Sequence, residues 1–147
     1  MKQEDKELLI KDLCARLPYS VKYSCNDIKN VWKLKTIFTR SDNSIFCDGC
    51  NALELCKPYL FPLSSMTEEQ EEELITITNG KFRYMWGDIN NAIPRKNTSE
   101  WGTDENAYIN SIKVINILYT WLLKNHFDIN GLIPMGLAID CTNLNIY

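Results

Sequence analysis

The chain has 147 residues, of which 45% are hydrophobic and 24% are charged, and its formal net charge at pH 7 is −3. This length and composition are typical of one ordinary globular domain and exclude a largely disordered chain. The net negative charge argues against broad, nonspecific binding to nucleic acid or to anionic membranes.

The N-terminal segment MKQEDKELLIKDL contains acidic residues among its first positions and no long apolar run, so it does not resemble a signal or transit peptide. Nor does any segment have the roughly 18 consecutive apolar residues that indicate a membrane-spanning helix. We therefore expect a cytoplasmic protein without a membrane partner, in which the six cysteines are thiols.

The first part of the chain is predicted to form one helix and then short strands. Apolar residues recur at helical spacing between Glu4 and Leu17, and Pro18 ends the helix. Alternating hydrophobicity predicts a strand-rich segment over residues 18–57. Its predicted strands are Ser20–Cys25, Val31–Thr39, Ile45–Asp48 and Leu53–Cys56, with a turn over Asn26–Asn30. This meander order favours a small, curled antiparallel sheet, of which an SH3-like barrel is one form.

Residues 57–66 are interpreted as a joint between this strand-rich half and a helical half. Pro58 and Pro62 remove backbone donors, so we expect residues 57–62 to lie in neither a helix nor a central strand. Thr67 and Gln70 then have the spacing of a capping box at the start of an acidic helix. The carboxylates of this helix point all round its axis, which indicates a solvated surface and not a metal site.

The helical half, residues 67–103, is predicted to continue into a hairpin and a long loop. The pair Asn79-Gly80 favours a hairpin turn that leads into a strand over Lys81–Trp86. Residues 87–103 are rich in turn formers and predict a long exposed loop, and loops of this length are usually either functional or disordered.

A core helix is predicted over residues 104–126, with Thr103 or Asp104 as its cap and His126 at its C-terminal end. Its expected buried stripe consists of Tyr108, Ile112, Ile115, Tyr119 and Leu122, widened by Ile109, Leu118 and Trp121. Residues 130–147 should add a short helix over Leu132–Ile139 and an extended tail. Taken together, these elements predict a single α+β domain over residues 1–147, with the curled sheet packed against this helix and shorter ones.

Three stretches carry a family resemblance: LLIKDLCARLPYSVK, CKPYLFPLSSMTEEQ and LLKNHFDINGLIPMGLAI. They cover about a third of the chain, and they resemble a family of short proteins found in gut Bacteroidales, in their prophages and in their phages. The resemblance implies an accessory protein of a mobile element or its host, and it brings no catalytic residues with it. Residues 80–106 lie outside the resemblance, so we expect the specific role of this chain to depend on them.

The sharpest metal-like pattern is formed by Cys47, Cys50 and Cys56. A structural zinc site needs four ligands, and this chain has one Cys-x-x-Cys pair, which Cys25 or His126 could complete. The alternative, which we favour, is a group of buried or idle thiols near a tight turn. We therefore predict no metal and no cofactor.

The only histidine in the sequence is His126, so any mechanism that uses a histidine base depends on it. Its position suits a helix-capping role, and the sequence contains no nucleophile elbow, phosphate-binding loop or dinucleotide-binding fingerprint. We expect that the protein is not an enzyme.

Cations and aromatic residues alternate after the hairpin signal and continue into the predicted loop. The candidate partner-binding residues are Lys81, Arg83, Trp86, Arg95, Lys96 and Trp101. The alternation also fits a strand over Lys81–Trp86 whose aromatic residues pack inward and whose cations face water. As a binding surface, these residues fit two functions. The first is a non-enzymatic interaction module of a phage or prophage that binds a host or phage protein, for example to inhibit a host defence system, since aromatic and arginine side chains are the usual anchors of interfaces. The alternative is a sponge-like protein that binds a nucleotide or single-stranded nucleic acid through stacking and phosphate contacts.

Overall fold

The computed structural model describes residues 1–41, 44–50, 52–79 and 105–147, and for residues 27–29 and 105–111 it describes the backbone only. Its helices are α1 (Gln3–Arg16), α2 (Glu68–Ile77) and α3 (Glu105–Lys124). Its strands are β1 (Lys22–Cys25), β2 (Asp27–Lys33), β3 (Ile37–Thr39), β4 (Ile45–Cys47), β5 (Cys56–Leu60) and β6 (Ile139–Asp140). Small sheets and helices occur together, which confirms the predicted α+β class.

The chain divides into two compact units. The first consists of Met1–Ser65 together with Leu122–Tyr147, and the second is Met66–Trp121. The first unit contains α1, all six strands named above and the end of α3. The single domain expected over residues 1–147 stays a prediction.

In the first unit the strand order is β2-β1-β5-β6, and β3 pairs with β4 in a separate ladder. The pairs β1–β2, β1–β5 and β3–β4 are antiparallel, whereas β5 and β6 run parallel. The predicted antiparallel pairing of the strand at Ile45 with the strand before it is confirmed. The expected meander is wrong, because β1 lies between β2 and β5 and the β3–β4 ladder is separate from this sheet.

The predicted strand over Val31–Thr39 is divided between two sheets. Leu34 is buried, and the backbone amides of Lys35 and Thr36 donate to the carboxylate of Asp48 at 2.9 and 2.8 Å, so this segment leaves the ladder of β2. The predicted turn over Asn26–Asn30 is also wrong. Asn26 alone makes the reversal, with φ of 62°, and β2 begins at the next residue.

Strand β5 contradicts the expectation that the two prolines keep residues 57–62 out of a central strand. Pro58 lies within β5 and faces Tyr23 of β1. Strand β6 pairs only with Tyr59 and Leu60, so at Pro58 the described strand has a neighbour on one side only. A missing N–H is tolerated where a strand has such an open side.

Helix α2 begins as predicted. The Thr67 hydroxyl accepts from the amide of Gln70 at 3.3 Å, and the Gln70 side chain accepts from the amide of Thr67 at 3.0 Å, which confirms the capping box. Helix α2 ends at Ile77 with Thr78 as its C-cap, and Asn79 follows with a left-handed φ of 52°. A helix therefore precedes the predicted hairpin turn at Asn79-Gly80, where a hairpin needs a strand.

Helix α3 also has the predicted length, but its buried side differs from the predicted stripe. Val114, Leu118 and Trp121 are buried at helical spacing. Three members of the predicted stripe are exposed instead: Ile112 at 42%, Ile115 at 50% and Tyr119 at 42%. Those three positions lie on one face of a helix, so α3 carries an exposed apolar face.

The end of α3 is closed by backbone hydrogen bonds around His126. The amide of His126 donates to the carbonyl of Leu123 and the amide of Phe127 donates to the carbonyl of Leu122, at 3.1 and 2.9 Å. His126 has φ of 61°, so these two hydrogen bonds form a Schellman motif. The predicted capping role of His126 is confirmed.

Residues 132–139 do not form the predicted short helix. The Asp128 carboxylate accepts from the amides of Leu132 and Ile133, both at 2.8 Å, and the chain then turns at Gly136, where φ is 70°. These turns lead into β6.

The core of the first unit is formed by buried residues of α1, of the sheets and of the segment before β6: Leu9, Leu13, Val21, Tyr23, Leu34, Cys47, Cys50, Leu53, Cys56, Leu60, Leu132, Leu137 and Ala138.

Candidate functional site

The six predicted partner-binding residues all fall outside the described residues. They are Lys81, Arg83, Trp86, Arg95, Lys96 and Trp101. The hairpin strand over 81–86 and the long loop over 87–103 lie outside them as well. Their role therefore stays a prediction, and two other features of the first unit become the candidate sites.

The first feature is a cluster of four cysteines, which we call the cysteine cluster: Cys25, Cys47, Cys50 and Cys56. Cys25 and Cys50 form a disulfide, with Cα atoms 5.7 Å apart. Cys25 also faces Cys56 across the β1–β5 ladder. Cys47 forms an isolated β-bridge with Cys50, and its thiol is hydrogen-bonded to that of Cys56. Each cysteine therefore neighbours two others, and the four close into a ring.

The turn between Cys47 and Cys50 is held by a backbone hydrogen bond within it and by the hydrogen bonds of Asp48 to a neighbouring segment. Gly49 has φ of 71°, and the amide of Cys50 donates to the carbonyl of Cys47 at 3.1 Å. Asp48 binds two backbone amides of the segment between β2 and β3. The Cys50 and Cys56 sulfurs both lie near the carbonyl oxygen of Ala52, at 3.3 and 3.6 Å.

The two free thiols of the cluster have opposite pKa shifts. The Cys56 side chain donates to Cys47, which lowers the pKa of Cys47, and the same hydrogen bond together with burial raises the pKa of Cys56. The hydrogen bond therefore favours the thiolate form of Cys47 over that of Cys56. The buried hydroxyl of Tyr23 is electrostatically coupled to both sulfurs, and burial raises the pKa of this phenol. This hydroxyl has no hydrogen-bond partner among the described residues.

The expectation of six thiols is wrong for Cys25 and Cys50, because the disulfide joins them. Nor can Cys47, Cys50 and Cys56 all act as metal ligands in this structure, because the sulfur of Cys50 is in a disulfide and is not a thiolate. With the Cys25–Cys50 disulfide formed, no three His, Cys, Asp or Glu side chains over residues 1–41, 44–50, 52–79 and 105–147 are placed to hold a metal ion.

The second feature is the outer strand of the larger sheet, β2, with the aromatic side chains beside it. Trp32 is 45% exposed although it faces the fully buried Tyr23 across the ladder. Its ring lies over Gly49, where an added Cβ would stand 3.1 Å from the ring. Val31, on the opposite face of β2, is 43% exposed. An exposed ring held against a fixed turn is a rigid contact surface.

Phe38 of β3 is a second exposed aromatic residue, at 44%. Its ring stacks on that of Phe46 with centroids 5.5 Å apart, and the Arg40 guanidinium lies 4.0 Å from the Phe46 centroid. The sequence signal for β2 and β3 was alternation, which predicts one buried face. Alternation does not reveal that an edge strand leaves both faces partly open.

His126 occupies a packing position and not a catalytic grouping. Its ring stacks on Tyr147 with centroids 4.0 Å apart, and burial, with Arg16 and Lys22 nearby, lowers its pKa to about 4. The ring is therefore neutral at pH 7. The left-handed backbone of His126 ends α3, and its stacking on Tyr147 packs this end of the helix against the C-terminal residues.

Comparison of the chain with models of protein families, with curated proteins and with solved structures gave no match. In the part of the chain that the structure describes, no helix is long and apolar enough to cross a membrane. The function therefore has to be argued from the residues themselves.

Proposed function

We propose that this chain is a non-enzymatic protein-interaction module of a phage or prophage, and that β2 with Trp32 forms part of its binding surface. The origin in a mobile element follows from the family resemblance alone. The observation that supports an interaction surface is the 45% exposure of Trp32, whose ring is nevertheless held in place by contact with Gly49.

An exposed ring that already packs on its own protein has less conformational freedom to lose when a partner covers it. Tryptophan is also among the side chains that contribute most to interface energies. Val31 adds apolar area on the other face of the same strand. A partner that reaches both faces of β2 would bury more than one of these side chains.

The backbone of β2 favours a particular kind of partner. In the order β2-β1-β5-β6, β2 is an outer strand, and among the described residues no strand pairs with the far side of its backbone, which can therefore receive a strand of another protein. Lys33 and Lys35 are exposed at its end. We therefore infer an extended, acidic segment of another protein as the occupant, and inhibition of a host defence protein is the activity to test first.

The test is capture of host proteins with the wild-type chain, with Trp32→Ser and with Ile115→Ser as a matched control. Ile115 is also an exposed apolar residue, at 50%, but it lies on α3. We expect one host protein to be retained by wild type and by Ile115→Ser and to be lost with Trp32→Ser. A photo-crosslinking residue at position 32 should then label the same protein.

Retention by Trp32→Ser with loss in Ile115→Ser would move the surface to α3 and contradict the assignment to β2. Absence of any retained protein would contradict the interaction module itself. In that case the nucleotide-binding alternative is tested by thermal shift with cyclic and linear nucleotides, because a bound ligand raises the melting temperature. That alternative depends on residues 81–101 and stays a prediction.

A further inference from the structure

The cysteine cluster combines features that the proposed interaction surface does not use. Its four residues come from β1, β4, the turn after β4 and the start of β5, so they join the two sheets of the first unit. Cys47, Cys50 and Cys56 are buried, at 1%, 3% and 0% exposure. These four cysteines are neighbours through one disulfide, one thiol hydrogen bond and two strand pairings, while Cys14 and Cys141 lie outside the cluster as free cysteines.

We propose that the cysteine cluster, once its disulfide is reduced, binds one Zn²⁺ ion through the thiolates of Cys25, Cys47, Cys50 and Cys56. Zinc in structural sites takes four ligands in a tetrahedron, with Zn–S bonds of about 2.3 Å. The ring of neighbours described above supplies the four ligands without help from another part of the fold. His126, the other residue that the sequence offers as a fourth ligand, instead lies against Tyr147.

The backbone around Cys47 and Cys50 has the form that a two-cysteine zinc knuckle requires. The two residues are separated by a two-residue turn, and the left-handed φ of Gly49 lets the chain reverse within it. Asp48, whose carboxylate would otherwise compete for the metal, is occupied by two backbone amides. The turn is thus set before any ion binds, which reduces the entropy lost on binding.

Tyr23 provides a second, independent indication. Its side chain is fully buried, its hydroxyl lacks a hydrogen-bond partner among the residues described, and it lies two residues along β1 from the Cys25–Cys56 pair. A buried donor without an acceptor is unfavourable. A metal-bound thiolate of this pair would be a new acceptor close to the hydroxyl.

The conversion between the two states is a balanced reaction. Opening the Cys25–Cys50 disulfide takes two electrons and two protons, which a dithiol reductant supplies while it is oxidised to its own disulfide. Binding of Zn²⁺ then forms four Zn–S bonds and releases four protons to solvent, one from each thiol. The two positive charges of the ion against four thiolates leave a net charge of −2, which the Tyr23 hydroxyl helps to stabilise.

The experiment uses the full chain, reduced with a dithiol under anaerobic conditions, freed of metal by a chelator and then titrated with Zn²⁺ and, separately, Co²⁺. We expect one metal ion per chain by elemental analysis. The Co²⁺ form should show the charge-transfer and visible bands of tetrahedral thiolate coordination. Removal of zinc with a chelator should make four further thiols per chain reactive. The oxidised chain should bind none.

Two variants sharpen the result. Cys14→Ser changes an exposed cysteine outside the cluster and should still bind one ion. Tyr23→Phe should weaken zinc binding about 10-fold, as loss of an outer partner of a metal ligand does. Because serine at a buried cluster position can unfold the chain by itself, the decisive result is that of wild type. A reduced wild-type chain without stoichiometric metal, or an oxidised one that binds as well as the reduced one, would overturn the proposal.

Discussion

The buried ion pair of α1 provides the sharpest test of what stabilises the first unit. Arg16 is 0% exposed and Asp12 is 1% exposed. The Arg16 guanidinium donates to both Asp12 carboxylate oxygens, at 2.6 and 3.1 Å, and to the carbonyl of Phe127 at 2.7 Å. Asn130 also donates to Asp12, at 2.8 Å. The pair therefore joins α1 to the segment that follows α3.

Replacing Asp12 by alanine would leave the Arg16 charge buried with one acceptor, the carbonyl of Phe127. Loss of one partner of a buried ion pair costs about 3–5 kcal/mol. With an m-value of about 2 kcal/mol/M in urea, the unfolding midpoint should fall by about 1.5–2.5 M. The matched control is Glu54→Gln, which breaks the exposed contact between Lys6 and Glu54 at 2.7 Å. That change should cost less than about 1 kcal/mol.

The assay is equilibrium urea unfolding at pH 7, followed by far-UV circular dichroism. The double variant Asp12→Leu with Arg16→Met removes both charges and should recover most of the loss, because apolar replacements of a buried pair are often neutral. If Asp12→Ala costs no more than Glu54→Gln, the pair is not an important contact. If the double variant is less stable than the single one, charge burial is not the reason for the cost.

Three further predictions test single positions. Gly49→Ala should lower the free energy of unfolding by about 1–3 kcal/mol, and by more than Gly136→Ala does. Both glycines have a left-handed φ, but of the two only Gly49 has a neighbour, the Trp32 ring, where an added Cβ would lie. Urea unfolding of both variants measures the difference, and equal costs would contradict a clash with Trp32. The pKa of His126 falls from 6.5 to about 4 on folding, so between these values the unfolded chain binds more protons than the folded one. The stability that this shift contributes is therefore fully present above pH 6.5 and is lost as the pH falls towards 4. Because His126 is only partly buried, this contribution is limited to about 1–2 kcal/mol. In His126→Asn the unfolding free energy should lack this part of its pH dependence, and an unchanged pH dependence would refute the prediction. Thr67→Ala should lower the free energy of unfolding by about 1 kcal/mol through loss of its cap on α2, and a thermal melt that matches wild type would refute the capping role.

Local sequence signals predicted local structure well. The capping box of Thr67 and Gln70, the length of α3 and the capping position of His126 each depend on residues within a few positions of one another. Such interactions are favoured by the short sequence itself, so they can be inferred without knowledge of the fold.

The failed predictions depended on contacts between distant residues. Asp48 takes the amides of Lys35 and Thr36 away from the ladder, and this divides a predicted strand in two. The stripe of Ile112, Ile115 and Tyr119 is apolar enough to be buried, but which face of α3 is covered depends on tertiary packing that helical spacing does not specify. The disulfide was missed because pairing of Cys25 with Cys50 requires that β1 and the turn after β4 meet in space.

Strand β6 has a consequence for how the chain acquires its structure during synthesis. Its residues Ile139 and Asp140 pair with Tyr59 and Leu60, so β5 is translated long before its parallel neighbour exists. Closing so long a loop is slow, and until then the nascent chain exposes an incomplete sheet on the ribosome. A chain released without its last residues would keep that sheet edge open, which makes aggregation of truncated products the expected failure in the cell.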